Sequence, residues 1–187
     1  MVELCMQIIN FKNLKIEKVC NLKIQEVNMN YIRIDDFDML NGEGIGVVLW
    51  VAGCNHNCEE CHNPETWDQN AGQLFTDKSK QEIFQFLNKD YIHRITFTGG
   101  DPLFPNNRDT LTKLAKEIKE IFPDKKIWCY TGYLYEQVKD LPIMNYIDIL
   151  VDGPYIKKLR DVNLHWVGSS NQKVIKLYDQ RSSEDYC

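Results

Sequence analysis

The sequence predicts an α/β fold: a partial (β/α) barrel of about five to six parallel strands within 187 residues. Three observations carry that prediction. Short runs of β-branched and aromatic residues alternate with stretches of helical periodicity, the pattern of βαβ units and a parallel sheet. The most unusual residues fall directly after those runs, at the strand ends where the loops of parallel folds converge on a site. The runs are also too few to close an eight-stranded barrel.

In chain order, residues 1–28 mix apolar residues and lysines without clear periodicity. They read either as an upstream extension with no part in the chemistry or as a strand or helix added to one side. Met29 opens a second plausible start, so the chain divides into an extension of uncertain role, 1–28, and a domain, 29–187. The first apolar run, VVLWV (47–51), leads into AGC. A helix follows over Lys80–Asn88, with Ile83, Phe84 and Leu87 on one face and Asp77 or Ser79 as its cap. RITFT (94–98) leads into GGDP. The clearest helix spans 107–122: Leu111, Leu114, Ala115, Ile118, Ile121 and Phe122 share a face, and Pro123 ends it. KIWCY (126–130) leads into TGY, Leu134–Leu141 forms a further short helix, DILVD (148–152) leads into GPY, and KVIKL (173–177) closes the series.

Bulk properties exclude several classes. With 43% hydrophobic and 26% charged residues the chain suits one ordinary domain. A net charge of −5 and a pI near 5.4 argue against general nucleic-acid binding, which leans on a basic surface. No apolar run approaches the roughly 20 residues of a membrane span. The N-terminus lacks the compact apolar core and cleavage site of a signal peptide. The expectation is a soluble, cytoplasmic protein without membrane or nucleic-acid partners.

The cysteines are more specific. Three of the seven, Cys54, Cys58 and Cys61, fall within GCNHNCEECHNPETW at C-x3-C-x2-C spacing. Disulfide frameworks usually have even counts spread through loop-rich secreted domains, whereas a tight cluster in a reducing compartment suits metal. Three readings stand: structural thiols without metal; zinc, with His56, His62 or Cys129 as fourth ligand; or a [4Fe–4S] cluster held by only three protein thiolates. No second knuckle of two ligands is present to complete a zinc ribbon or finger.

C-x3-C-x2-C after a first strand resembles the signature of the radical S-adenosylmethionine superfamily. In that family the fourth iron is left free for the amino and carboxylate groups of S-adenosyl-L-methionine. The resemblance implies that Cys54, Cys58 and Cys61 hold the cluster and that the cosubstrate supplies the missing ligand. TFTGGDP (96–102) is similar to the family's GGE-type loop. By that likeness Gly99 and Gly100 allow close backbone approach, and Asp101 accepts a hydrogen bond from the methionyl ammonium.

NGEGIGVVLWVAGC, CHNPETWD, FTGGDPLFPNN, CYTGY, DILVDGPY and WVGSSNQKVI resemble one subgroup, the glycyl-radical activating enzymes of anaerobic ribonucleoside-triphosphate reductase. These stretches cover Asn41 to about Leu177. Two positions depart from the pattern: Glu60 stands where an aromatic residue often precedes the third cysteine, and His62 where the subgroup has Phe or Tyr. The resemblance implies cosubstrate contacts at Glu60, Cys61 and His62, largely through backbone, and at Thr131.

The implied activity is reductive cleavage of S-adenosyl-L-methionine to methionine and a 5′-deoxyadenosyl radical. That radical takes a hydrogen atom from a backbone glycine of the reductase. The implied partners are that reductase and a flavodoxin-like or ferredoxin-like electron donor. The rival readings are another glycyl-radical activase, a small-molecule radical enzyme, and a zinc-binding interaction module.

Other residues carry plainer expectations. Tyr130 and Gly132 line the cosubstrate pocket or merely end a strand. Asp152 binds ribose or substrate backbone, or forms a turn. Asn63 and Trp67 pack the cluster loop. His56 reads as a surface residue, the alternative being a group that, like Asn57, tunes the iron. Cys129 is a small buried apolar residue, and His93 and His165 are structural or exposed. Lys157–Arg160 is a solvated patch, or a dock for an acidic electron donor.

Overall fold

The computed structural model describes residues 29–177, so the 1–28 segment and the tail after Leu177 lie outside the described residues. Among the described residues seven strands form a single sheet: β1 (Asn30–Asp38), β2 (Gly46–Val51), β3 (Gln73–Leu74), β4 (Arg94–Gly99), β5 (Lys126–Tyr130), β6 (Ile149–Asp152) and β7 (Lys173–Lys176). Their order across the sheet is β3-β1-β2-β4-β5-β6-β7. Only β2, β4, β5 and β6 run parallel; β1, β3 and β7 pair antiparallel at the flanks.

The expectation of five to six parallel strands is thus corrected to four within a mixed sheet. The physical reason lies in the connections. Between β6 and β7 the segment 153–172 has a 3-10 turn, Lys157–Leu159, as its one regular element, and so lacks the α-helix that usually carries the chain back across the sheet to a parallel strand. KVIKL therefore folds back beside β6. β1 escaped the pattern search because NYIRIDDFD is rich in charge. Those charges suit a strand covered on its outer edge for only two residues, by β3.

Three helices pack on one face of the sheet or join its strands: α1 (Asp77–Leu87), α2 (Pro105–Ile121) and α3 (Tyr135–Val138). α1 begins three residues before the predicted start. Its cap is Thr76 rather than Asp77 or Ser79: the Thr76 hydroxyl accepts from the Ser79 amide while the Ser79 hydroxyl accepts from the Thr76 amide. α2 opens on Pro105, whose missing N–H costs nothing in the first turn, and stops before Pro123. Its apolar stripe buries Leu111, Leu114, Ala115 and Ile118 against the sheet, with about 1.5–3 kcal/mol gained per large side chain. Lys80, almost fully buried, reaches 3.0 Å to Glu117 and links α1 to α2.

Alternation along the parallel strands sorts the two faces. Val47, Leu49 and Val51, Ile95 and Phe97, Ile127 and Cys129, and Leu150 join the helix-side core. The opposite face carries Trp50, Arg94, Thr96, Thr98, Trp128 and Tyr130, with a small apolar cluster at Trp128, Ile149 and Val151 packed under Trp166 and Val167. Both faces of β2, β5 and β6 are covered, which is why those runs are apolar almost throughout, whereas β4 alternates, with Arg94, Thr96 and Thr98 on the cleft face. Among the described residues no helix is long and apolar enough to cross a membrane.

Candidate functional site

The loop 54–67 leaves the end of β2 and is closed at its base by backbone pairs. The Gly53 amide donates to the Thr66 carbonyl at 2.8 Å and the Cys54 amide to the Trp67 carbonyl at 3.0 Å. The turn after β4 packs beneath it. Gly100 donates to the Val51 carbonyl and Asp101 to the Gly53 carbonyl, both at 2.8 Å. A Cβ on Gly100 would stand 2.6 Å from the Gly53 oxygen and 2.9 Å from the Thr66 oxygen, both backbone atoms. Gly100→Ala is accordingly expected to lower stability by about 1–3 kcal/mol. Thermal melting checks this; a wild-type value would show that the contact has slack.

Above this turn lies a cleft whose wall is built from the ends of all four parallel strands. Cys54, Cys58 and Cys61 line it, as do Gly99, Gly100, Asp101, Thr131, Gly132, Gly153, Tyr155 and His62. The four motif-bearing turns foreseen from the sequence do meet at one place.

The thiols are free and half-buried. Burial pushes the Cys54 thiol up to about 11, opposed by a hydrogen bond from the His56 backbone amide. Burial likewise raises Cys58, opposed by the Tyr155 amide. The Asn63 amide lies 3.4 Å from the Cys61 sulfur. Each sulfur therefore faces a backbone N–H donor, while desolvation, the neighbouring thiols and Asp101 oppose the charged form of the first two. A cationic centre beside them would favour the thiolate forms of Cys54 and Cys58 against that burial. That is the chemistry of a metal-thiolate site, and the donor set fits an iron–sulfur cluster.

Among the described residues no three His, Cys, Asp or Glu side chains converge on one ion position. A multi-iron group, which bonds each thiol to a different iron, needs no such convergence. Two of the candidate zinc ligands are engaged elsewhere: Cys129 is fully buried in the helix-side core, and His56 hydrogen-bonds Asp101.

The other predicted site residues fall as follows. Asp101, 1% exposed, already accepts from Leu103 N at 2.7 Å, Thr131 Oγ1 at 2.9 and 3.0 Å, Gly132 N at 3.0 Å and His56 Nε2 at 2.6 Å. The carboxylate that the resemblance assigns to an ammonium is held by the chain's own donors. Thr131 is buried with its hydroxyl turned to Asp101. Glu60, at φ +55, pairs with Lys157 at 2.7 Å and is not among the residues lining the cleft. His62 lines it, with its ring 5.7 Å from that of Tyr155.

His56 corrects an expectation: it is turned inward rather than set at the surface, because the buried carboxylate offers it a partner. Asp152 neither lines the cleft nor forms a turn: it ends β6, and its carboxylate accepts from the Tyr135 amide at 2.8 Å at the start of α3. Lys157, foreseen in a solvated patch, bonds Glu59 and Glu60 of the cluster loop. Asn63, Trp67 and Tyr130 all line the cleft. Tyr155 of the GPY turn lines it, and so do Trp50, Thr98, Trp166 and Gln172, which the sequence did not single out for the site. For Trp50 and Thr98 the signal was present in strand alternation; Trp166 and Gln172 arrive from a long irregular segment that no periodicity reaches.

A family model described as "4Fe-4S single cluster domain" matches residues 40–175. The chain is 47% identical over 146 residues to the anaerobic ribonucleoside-triphosphate reductase-activating protein of Enterobacteria phage T4, covering 78% of this chain and 93% of that one. It is 40% identical over 153 residues to the protein of the same name from Escherichia coli K12, covering 80% and 99%. The Haemophilus influenzae relative of that name is 40% identical over 148 residues, covering 77% and 96%.

Proposed function

The chain belongs to the family of anaerobic ribonucleoside-triphosphate reductase-activating proteins, with a 4Fe–4S single cluster domain, and from that premise we propose that it generates a glycyl radical on that reductase. The observation that carries this reading is the trio of free thiols, each facing a backbone N–H, at the rim of a cleft shared by four parallel-strand ends. Cys54, Cys58 and Cys61 would hold a [4Fe–4S] cluster, leaving one iron for S-adenosyl-L-methionine. When bound, these groups supply one-electron cleavage of the sulfonium to methionine and a 5′-deoxyadenosyl radical, which becomes 5′-deoxyadenosine on taking a hydrogen atom from a glycine.

The chain's own part is positioning and exclusion of water. The backbone at Gly99 and Gly100 forms the floor on which the methionyl end would lie. His62 and the backbone at Glu60 and Cys61 flank the adenosyl end, and Thr131 acts through Asp101. Trp50, Trp67 and Trp166 wall the cleft with apolar surface, which shields a radical from solvent and side reactions. We read the mixed sheet as a partial barrel whose open side admits a loop of the reductase. In this reading the domain spans 29–187 and 1–28 is an extension. The electron comes from a separate flavodoxin-like or ferredoxin-like donor.

The test is anaerobic reconstitution with iron and sulfide, reduction, and addition of S-adenosyl-L-methionine with the reductase. A glycyl radical signal on the reductase and stoichiometric 5′-deoxyadenosine are expected. The same signal on pyruvate formate-lyase alone, or a colourless zinc protein, would overturn the reading.

A further inference from the structure

We propose that His56 is a positioning residue that ties the Cys54–Cys58 loop to the ends of β4 and β5 through the buried carboxylate of Asp101. This rests on the cluster-holding reading above.

Asp101 is anchored before His56 reaches it: Leu103 N, Thr131 Oγ1 and Gly132 N donate to it from its own turn and from the turn after β5. A carboxylate can only accept, so the 2.6 Å contact with His56 places the proton on Nε2. The contact is a charge-assisted hydrogen bond shielded from water, with the imidazole 17% and the carboxylate 1% exposed. The ring sits on a surface cut for it. A Cβ on Gly132 would stand 2.5 Å from the His56 ring, and Tyr133 meets the ring edge to face at 4.7 Å.

The next residue, Asn57, takes φ +46, a left-handed turn that asparagine adopts more readily than other non-glycine residues, so the chain reverses directly beside the held ring. Meanwhile the His56 backbone N–H is placed to favour a charged Cys54 sulfur. One residue thus holds a cluster ligand through its backbone and the buried carboxylate through its ring. Releasing the ring frees the amide that faces the sulfur. Hydrogen bonds to ligand sulfurs help set cluster potentials, so the effect should be electronic as well as steric.

The experiment compares His56→Ala, His56→Gln and Gly132→Ala in the full reconstituted chain. Read-outs are iron and sulfide content, the paramagnetic resonance spectrum and midpoint potential of the reduced protein, and KM and kcat for 5′-deoxyadenosine formation. His56→Ala is expected to retain iron, shift the spectrum, move the potential to a more negative value, and raise KM for S-adenosyl-L-methionine roughly tenfold to a hundredfold with a smaller change in kcat. His56→Gln, whose amide nitrogen can occupy the Nε2 position, should recover most of the loss. Gly132→Ala, which displaces the ring from below, should reproduce His56→Ala.

An unchanged spectrum, potential and KM in His56→Ala, or no recovery in His56→Gln, overturns the positioning role while leaving the cluster in place. A parent protein that assembles no iron–sulfur cluster overturns the underlying reading instead, and this inference with it.

Discussion

Cys58→Ala protein, reconstituted with iron and sulfide, is expected to form no detectable 5′-deoxyadenosine, and the same holds for Cys54→Ala and Cys61→Ala. Each thiol is free, lines the cleft and faces a backbone amide. Of the other candidate donors, Cys129 is sealed in the helix-side core and His56 is held by Asp101, while His62 lines the cleft but offers a neutral imidazole in place of a thiolate. The loss should exceed the roughly 10- to 100-fold penalty typical of removing an outer-shell partner, because a ligand itself is gone. Cys129→Ala is the control, expected to keep full cleavage with at most a small fall in melting temperature. Iron and sulfide analysis beside chromatography of the nucleoside product decides the matter. Cleavage retained in any one of the three variants, with iron still bound, would falsify the ligand set.

Arg94→Ala should produce the largest loss of stability, about 3–5 kcal/mol, the usual penalty for breaking a buried ion pair from one side. Arg94 is fully buried on the cleft face of β4. It donates to Asp38 Oδ1 and Thr96 Oγ1, both at 2.6 Å, and to the Asp38 carbonyl at 3.2 Å. Thr96 Oγ1 in turn donates to the Asn41 carbonyl, and Gly42 and Gly46 lie too close to the Arg94 side chain to carry a Cβ. The guanidinium is the post around which the 39–45 loop is wrapped, and Asn41 of that loop lines the cleft. For a chain of this size such a loss lowers the melting temperature by roughly 6–20 °C. A weaker grip on S-adenosyl-L-methionine should accompany it.

The same pair sets an acid limit. Burial opposes ionisation of Asp38, but hydrogen bonds from Arg94 and from the Asn41 amide and side chain, with the Arg94 charge, together hold its carboxyl below the ordinary 3.8. A carboxyl depressed in the folded state contributes stability that is present above the unfolded value and is lost as pH falls through the folded one. Denaturant titrations should therefore show this contribution disappearing below about pH 4 in the parent, and already absent in Arg94→Ala. A variant with the parent's melting temperature and acid profile would remove Arg94 from this role.

Much of the helix-side core was legible because burial there follows simple periods. Leu111, Leu114, Ala115 and Ile118 recur at helical spacing, and Val47, Leu49 and Val51 alternate along a strand. The thiol triplet and the GGDP turn were legible for a different reason: their chemistry is local, carried by residues close in sequence. The polarity of β7 was not, because KVIKL reads alike in either direction and only the helix-free course of the connection before it accompanies antiparallel pairing. The inward turn of His56 was hidden as well. Its partner lies 45 positions away, and nothing near it in sequence announces a buried acceptor.

The sequence by itself determined the spacing of the three candidate thiols, the strand-end position of the four turns, and most of the elements that carry them. These follow from short-range spacing and from the apolar pattern each element needs in order to bury one face. Only the tertiary structure decided where the polar groups of those turns are satisfied: Asp101 on His56, Thr131 and Gly132, Arg94 on Asp38 and Thr96, and Lys157 on Glu59 and Glu60. Hydrogen bonds and ion pairs between distant residues depend on which chain segments the packed core brings within about 3 Å, and no local pattern records that distance.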